Sequence, residues 1–284
     1  PDLSLKMGVA TVPEDRLERL TSVAHHVAEL VNITPDPQQP YVGASAFAHK
    51  AGLHTSAIAR RPDAYEHVDP DVVGNGTRFV VSELAGKSTL EMKATEIGLE
   101  LDGQELASVV DRLKTLEHEG FHFEAADGSL ELLMRDASGW RHDFFELESW
   151  RVAVEHRAPA DGSSGPAGAT VTCEATVKVR VGDQRVITTD EGNGPVNALD
   201  KALRKAIGEV HPALGEVHLT DYKVRVLDTQ RGTGAVTRVL IDSTDGDNVW
   251  STIGVSENVI EASWQALADS VVYGLLHHEL ARST

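Results

Sequence analysis

A short turn in the second half of the chain has the composition of an anion-binding site. It precedes an amphipathic helical segment, and the N–H groups and dipole at a helix N-terminus suit a carboxylate. A ligand that also carries an ammonium group needs an acceptor, for which Asp190 and Asp228 are candidates, and an apolar wall, for which Tyr222 and Ile253 are candidates. The candidates in the turn itself are Gly192, Asn193, Gly194, Pro195, Val196 and Asn197. Of these, Val196 is also a candidate for the apolar wall. The alternative interpretation is an ordinary turn that starts a helix.

The histidines offer acid–base or metal chemistry, but their spacing does not favour a metal site. His49 and His54 are five positions apart, which places them about 140° from each other around a helix rather than in the i, i+4 arrangement of a helical metal pair. The adjacent pairs His25–His26 and His277–His278 diverge, and we interpret them as surface or capping residues. His54 and Tyr65 remain candidates for acid–base and positioning roles. The alternative is a histidine packed in a turn and a partly buried aromatic residue.

The first half of the sequence predicts small helices followed by a strand. Apolar positions recur at helical spacing in 14–31 and 104–118, and shorter helices are expected at 88–97 and 124–136. Residues 144–156 are typical of a strand, with Phe145, Leu147, Val152 and Val154 expected to be buried. Residues 158–169 are rich in Gly, Pro, Ala and Ser, which indicates a flexible linker. We therefore place domain boundaries at 1–157, 158–169 and 170–284.

The last domain contains a weak internal repeat. Strands are predicted at 170–181, 184–190, 217–228, 235–246 and 248–255, and amphipathic helices at 192–210 and 256–276. Each helix follows a strand and a glycine, so a turn at Gly254 parallels the one described above. Two strand-strand-helix units form antiparallel sheets backed by helices, so the predicted fold class is α+β.

Composition excludes several classes of function. The formal net charge of −18 argues against a nucleic-acid binder and against an anionic membrane surface. Cys173 is the one cysteine, so no internal disulfide can form, and a cytoplasmic location is expected. No apolar run approaches the roughly 20 residues of a membrane span.

Several blocks of the sequence resemble the citramalate synthase branch of the isopropylmalate and homocitrate synthase superfamily. They are QPYVGASAFAHKAGLHTSAI (39–58), DAYEHVDPDVVGN (63–75), VSELAGKSTL (81–90), DEGNGPVNAL (190–199), and YKVRVLD with GVSENVIEASWQALADS (222–270). The blocks cover nearly the whole chain in the family's order. The resemblance is to the C-terminal part of such enzymes, with small linker subdomains followed by an allosteric regulatory and dimerisation domain.

The resemblance implies an acyltransferase that condenses acetyl-CoA with pyruvate to give (R)-citramalate and CoA, a step of isoleucine biosynthesis. It implies that His54 gives acid–base assistance near acetyl-CoA and that Tyr65 positions reacting groups, both in the barrel of a partner chain. Imidazole suits the first role because its pKa is near neutral. A divalent metal (Zn²⁺, Mg²⁺ or Mn²⁺) is expected in a TIM barrel that this sequence does not contain. We therefore expect no cofactor in this chain and no activity from it alone.

For residues 170–284 the resemblance implies a homodimer that binds isoleucine as a feedback inhibitor at or near the 192–197 turn. One alternative is an isopropylmalate synthase-like regulatory part that senses leucine. Another is a stand-alone, non-enzymatic amino-acid-binding module that acts in trans. A hydrophobic pocket separates such amino acids by only about 1–3 kcal/mol, so the sequence leaves the effector open.

Overall fold

The computed structural model describes residues 7–9, 12–30, 35–36, 38–43, 45–49, 61, 66, 68–79, 87–157, 170–227 and 229–283. The chain divides into two compact units, residues 1–113 and 114–284. This division differs from the boundary expected at 158–169. Strand Glu146–Arg157 pairs along its length with strand Thr170–Val181, so both belong to one sheet of the second unit.

The described residues of the first unit form helices and one pair of two-residue strands. A 3₁₀ helix, Glu14–Arg19, leads into α1, Leu20–Leu30, within the predicted 14–31 segment. Strands β1 (Ala48–His49) and β2 (Arg78–Phe79) pair in parallel. Helix α2 spans Lys87–Glu96, and α3 spans Gly103–Glu119 and continues past the end of the unit. The Thr21 hydroxyl donates to the Val73 carbonyl at 2.8 Å and fixes the 3₁₀ helix Pro70–Val73 beside α1.

After the last residues of α3, the second unit contains a further helix and then two β-β-β-α modules. Helix α4 is Asp127–Ala137. The first module contains β3 (Glu146–Arg157), β4 (Thr170–Val181), β5 (Gln184–Gly192) and α5 (Pro195–Ile207). The second contains β6 (His218–Val226), β7 (Thr237–Thr244), β8 (Val249–Ser256) and α6 (Val259–Ser283). Each sheet is an antiparallel meander in chain order. The described residues form no barrel. The predicted α+β class and repeat are confirmed, and each repeat has a third strand at its start.

The core of this unit lies between the sheets and their helices. Alternate residues of β4 are buried, as the period of two predicts, and they face the small and aliphatic residues of α5. The buried β4 residues are Cys173, Ala175, Val177, Val179 and Val181. Glycines in the left-handed region, Gly182 (φ 56°) and Gly246 (φ 99°), form the β4–β5 and β7–β8 turns, where a side chain would be strained.

Strand β3 corrects one expectation about burial. Phe145, just before it, is buried, but Leu147 is 37% exposed and Val154 is 57% exposed. The reason is that β3 is an edge strand, and α5 packs mainly over β4 and β5. Leu147 and Val154 lie opposite the buried Val179 and Cys173, on the core side of the sheet, because a bulge between Leu147 and Ser149 shifts the alternation. The sequence shows neither the bulge nor how far the covering helix extends.

Candidate functional site

The turn before α5 has backbone geometry that suits a close approach. Gly192 lies against the start of the helix, and a Cβ at this position would overlap the backbone nitrogen of Ala198. Gly194 is the N-cap residue, and its carbonyl accepts the N–H of Ala198 at 3.0 Å. Asn197 accepts the Asn193 N–H at 3.2 Å. Among the residues that the structure describes here, no side chain caps the helix at Gly194, and Pro195 and Val196 are half-buried. The N-terminus of α5 is therefore open to an added anionic group.

Asp190 lies two residues before this turn, but it already has a cationic partner. It is opposite Ala175 in the β4–β5 ladder and so faces α5. From α5, Lys205 approaches its carboxylate to 3.3 Å. A ligand ammonium at Asp190 would therefore share the carboxylate with Lys205 or displace it.

The predicted walls do not lie together. Tyr222 is opposite Ile241, whose side chain is in the core beneath α6, and its hydroxyl is 2.7 Å from that of Ser263. Ile253 alternates with Thr252, which faces α6, so the Ile253 side chain points to the other face of the sheet. The two residues are thus on opposite faces of the second sheet. Asp228 lies outside the described residues.

The second module repeats the close approach of a glycine to a helix, but its helix start has a side-chain cap. A Cβ on Gly254 would overlap the carbonyl oxygen of Ala262 in α6, which parallels Gly192 and Ala198 in the first module. The N-cap position equivalent to Gly194 is Asn258, whose carbonyl accepts the Ala262 N–H at 2.9 Å and whose side chain accepts the Ile260 N–H at 2.9 Å. The two helix starts are equivalent, but only the first lacks a side-chain cap.

A polar cluster joins α4 to the second module, and it was not predicted from the sequence. Asp127 accepts the Ser251 N–H at 3.0 Å, and the Ser129 hydroxyl accepts the Ile253 N–H at 3.0 Å. The same hydroxyl donates to Asp269 on α6 at 2.6 Å. We call Asp127, Ser129, Glu131 and their partners the α4 polar cluster. Burial, which outweighs the hydrogen bond from Ser129, raises the pKa of Asp269 to about 6.

Glu131 is the most buried charge of the α4 polar cluster. Its side chain is 3% exposed and lies 2.7 Å from Arg135 and 3.1 Å from His277. Burial opposes its ionisation, but hydrogen bonds and charge from His277 and Arg135 prevail, so its pKa is lowered. The ring of His277 stacks on Tyr273 at 4.2 Å. His277, expected to be a surface or capping residue, is thus half-exposed and pairs with a buried carboxylate.

The first unit contains a second polar cluster, which includes His49. The carboxylate of Glu66 is buried, and it lies 3.1 Å from His49 Nε2 and accepts the Thr77 hydroxyl at 2.6 Å. The predicted catalytic residues His54 and Tyr65 lie outside the described residues. In the described parts of the chain no group of three or more His, Cys, Asp or Glu side chains is arranged to hold a metal ion. No described helix is both long and apolar enough to cross a membrane.

Comparison with known families identifies the second unit. Residues 124–275, more than half of the chain, match the family described as the LeuA allosteric (dimerisation) domain. The chain belongs to this family. Residues 41–120 match a second family, the homocitrate synthase post-HMGL domain-like family. These two matches agree with the superfamily that the sequence blocks resemble.

Three curated relatives of this chain are named (R)-citramalate synthase. The chain is 50% identical to the (R)-citramalate synthase of Streptomyces coelicolor over 98% of this chain and 51% of that protein. It is 48% identical to the Aquifex aeolicus protein of the same name over 98% of this chain and 52% of that protein. For the Synechocystis protein the identity is 47% over 97% of this chain and 50% of that protein. The chain spans about half the length of the curated relatives it matches.

Proposed function

We propose that this chain is the C-terminal accessory and feedback-regulatory part of an (R)-citramalate synthase, and that it binds isoleucine and forms a homodimer. The observation that carries the proposal is its 50% identity, across 98% of the chain, to a protein named (R)-citramalate synthase. Membership of an allosteric domain family supports the regulatory role. Under this proposal acetyl-CoA, pyruvate and the divalent metal bind outside these residues, and His54 and Tyr65 act on the barrel of a partner chain.

The effector site is proposed at the N-terminus of α5. The open backbone at Gly194 suits the carboxylate of an amino acid, and the equivalent position of α6 is already occupied by the side chain of Asn258. Effector binding shifts activity only if affinity differs between two states of the enzyme. The asymmetry between the two helix starts favours one site per chain, in the first module.

Calorimetric titration of this chain with isoleucine, and in parallel with leucine and valine, tests the proposal. Saturable heat with isoleucine, and weaker binding of the others, is the expected result. A preference for leucine would support the isopropylmalate synthase-like alternative. Absence of heat with all three ligands, from a chain shown to be folded, would refute the amino-acid-sensing function. Assayed without a barrel, the chain should form no citramalate.

A pair of matched variants locates the site. Gly194→Asp places a carboxylate at the N-cap, where a Cβ meets nothing within 4 Å and the φ of −168° suits any residue. The new carboxylate stabilises the helix by a few tenths of a kcal/mol but competes with the ligand carboxylate. Isoleucine affinity should fall at least about tenfold, roughly 1.4 kcal/mol.

The control is Asn258→Asp, which adds the same charge at the equivalent position of the second module while keeping the cap on Ile260. This variant should bind isoleucine like the wild type. Equal losses in both variants would indicate a general charge effect and would refute a site at residues 192–197.

The non-enzymatic alternative, a module that acts in trans, makes a different prediction. Such a module would bind the amino acid and then associate with a separate chain. A pull-down in which isoleucine changes the recovery of a separate barrel chain would favour it over the regulatory half of a single enzyme.

A further inference from the structure

Two asparagines of the chain are followed directly by glycine, in the pairs Asn75–Gly76 and Asn193–Gly194. This dipeptide is chemically labile, because glycine has no side chain to keep its backbone nitrogen away from the amide carbon of the preceding asparagine. The other asparagines precede Ile, Ala or Val, whose side chains hinder that approach. Local structure therefore decides which of the two pairs can react.

The reaction is an intramolecular deamidation that consumes only water. The glycine backbone nitrogen loses its proton to hydroxide and attacks the side-chain carbonyl carbon of the asparagine, which forms a cyclic imide and releases the side-chain nitrogen as ammonia. Water then opens the ring at either carbonyl and leaves aspartate or isoaspartate. The reaction therefore requires an asparagine side chain that can rotate, a glycine N–H that is not hydrogen-bonded, and space for the ring.

Asn193 meets these requirements. It is exposed, and it lies between the last residue of β5 and the N-cap of α5, outside both the strand and the helix. Among the residues that the structure describes, neither the Asn193 side chain nor the Gly194 N–H has a hydrogen-bond partner, although the Asn193 N–H donates to Asn197. A Cβ at Gly194 would meet nothing within 4 Å, so the ring has space to form.

The start of α5 also favours the reaction electrostatically. Negative charge develops first on the Gly194 nitrogen and then on the side-chain oxygen of Asn193. Gly194 is the N-cap residue of α5, and the positive end of a helix dipole stabilises negative charge near its first turn. Lys201 adds a positive charge beside the turn, since it donates to the Glu191 carbonyl at 3.1 Å.

Asn75 is held in place by hydrogen bonds at both ends of its amide. Its Nδ2 donates to the carbonyls of Tyr41 and Gly43 at 2.8 and 3.0 Å. Its Oδ1 accepts the Gly76 N–H at 2.9 Å. The nitrogen that would leave as ammonia is thus bonded twice, and the proton that Gly76 would lose is engaged. Asn75 must break these hydrogen bonds before it can react, so the fold protects it.

We propose that Asn193–Gly194 is a deamidation site, at which the folded chain acquires a carboxylate with time while Asn75 stays intact. The modified turn has a lower affinity for an amino-acid effector, because the new negative charge lies immediately before the open N-terminus of α5 and repels the effector carboxylate. Only this loss of affinity rests on the proposed function. Since deamidation is not reversed by water, a modified chain would lose feedback sensitivity permanently.

Incubation of the folded chain at mildly alkaline pH, followed by proteolysis and mass spectrometry, measures both sites in one sample. Asn193 should deamidate at least about tenfold faster than Asn75, where hydrogen bonds must break first. The chain unfolded in guanidinium chloride is the control, since both pairs should then react at similar rates. The proposal is overturned if Asn75 reacts as fast as Asn193 in the folded chain, or if Asn193 reacts only in the unfolded one.

Gly194→Ala tests the attacking nitrogen. The new methyl group has open space, and the φ of −168° suits alanine, so the variant should fold like the wild type. The methyl group nevertheless hinders the approach of the nitrogen to the Asn193 amide. Modification of residue 193 should become far slower than in the wild type, with residue 75 unchanged. An undiminished rate at residue 193 would exclude the cyclic imide and overturn the proposal.

Calorimetric titration tests the effect of the modification on the effector. Asn193→Asp carries the aspartate product and should bind isoleucine at least about tenfold more weakly than the wild type. Asn258→Asp, with the same charge at the second module, should bind like the wild type. Equal binding by the wild type and Asn193→Asp would refute the loss of affinity. Failure of the wild type to bind isoleucine would instead refute the proposed function, and mass spectrometry would still decide the deamidation site.

Discussion

Ionisation of Asp269 should cost the second unit stability as the pH rises, and Asp269→Asn should remove that cost. Burial raises the pKa of this carboxyl from 3.8 to about 6 in the folded chain. A group whose pKa is raised by folding stabilises the fold fully below its unfolded pKa, and that stability is lost as the pH rises through the folded pKa. The affected window therefore extends from about pH 4 to about pH 7.

The magnitude follows from the size of the shift. A difference of roughly two pKa units corresponds to about 3 kcal/mol at 1.36 kcal/mol per unit. Asp269 is partly exposed to solvent, so water screens part of this free-energy cost. We therefore expect a cost of about 1–2 kcal/mol. An asparagine oxygen can still accept the Ser129 hydroxyl, so the variant keeps the hydrogen bond and loses the titration.

Urea unfolding followed by tryptophan fluorescence is the appropriate assay. All four tryptophans, Trp140, Trp150, Trp250 and Trp264, lie in the second unit, so the signal reports that unit. Between about pH 4 and about pH 7.5 the wild type should lose about 1–2 kcal/mol more than Asp269→Asn. The titratable neighbours in the cluster, Asp127, Glu131, Tyr273 and His277, are common to both proteins and cancel. Parallel pH curves would refute the reasoning.

Two further substitution pairs test packing and charge. Gly192→Ala would force a Cβ onto the backbone of Ala198 and should cost about 1–3 kcal/mol, whereas Gly194→Ala has open space and should be nearly neutral. Both are measured by urea midpoint, and equal midpoints would contradict the close approach. Glu131→Ala should cost about 3 kcal/mol, because it leaves the largely buried Arg135 without its carboxylate partner. Glu155→Ala, in an exposed ion pair, should leave the midpoint unchanged. The Glu131 contribution has the opposite pH sign to that of Asp269: its pKa is lowered, so its stabilisation is lost as the pH falls below about 4.5.

The elements that sequence predicted best are those with a strong period. Alternation in residues 171–181 gives β4 and its buried face, and the helical spacing in 192–210 gives α5. The order of the Gly-rich turn and helix also gives the repeat, since a close strand–helix approach requires a small residue in both modules. These signals are local, so one sequence suffices to detect them.

The features that sequence did not predict depend on distant partners. Ser129 and Asp269 are 140 positions apart, and neither lies in a sequence pattern that predicts contact with the other. The 158–169 segment was expected to separate domains, but the strands on either side of it pair with each other. A Gly-, Ser- and Pro-rich composition is the same in a linker between domains and in a connection between two paired strands. The predicted walls Tyr222 and Ile253 both satisfied the apolar requirement, yet the strand register places them on opposite faces of the sheet.

The side chains that occupy the β8 edge also bear on how large an assembly can become. A subunit with one self-complementary edge stops growing after a single association, whereas a subunit with two different free edges can polymerise without closing. Asp127 and Ser129 therefore close the β8 edge to strand addition as well as holding α4 in place. Loss of α4 from β8 would open this edge to the strand addition that builds fibrils.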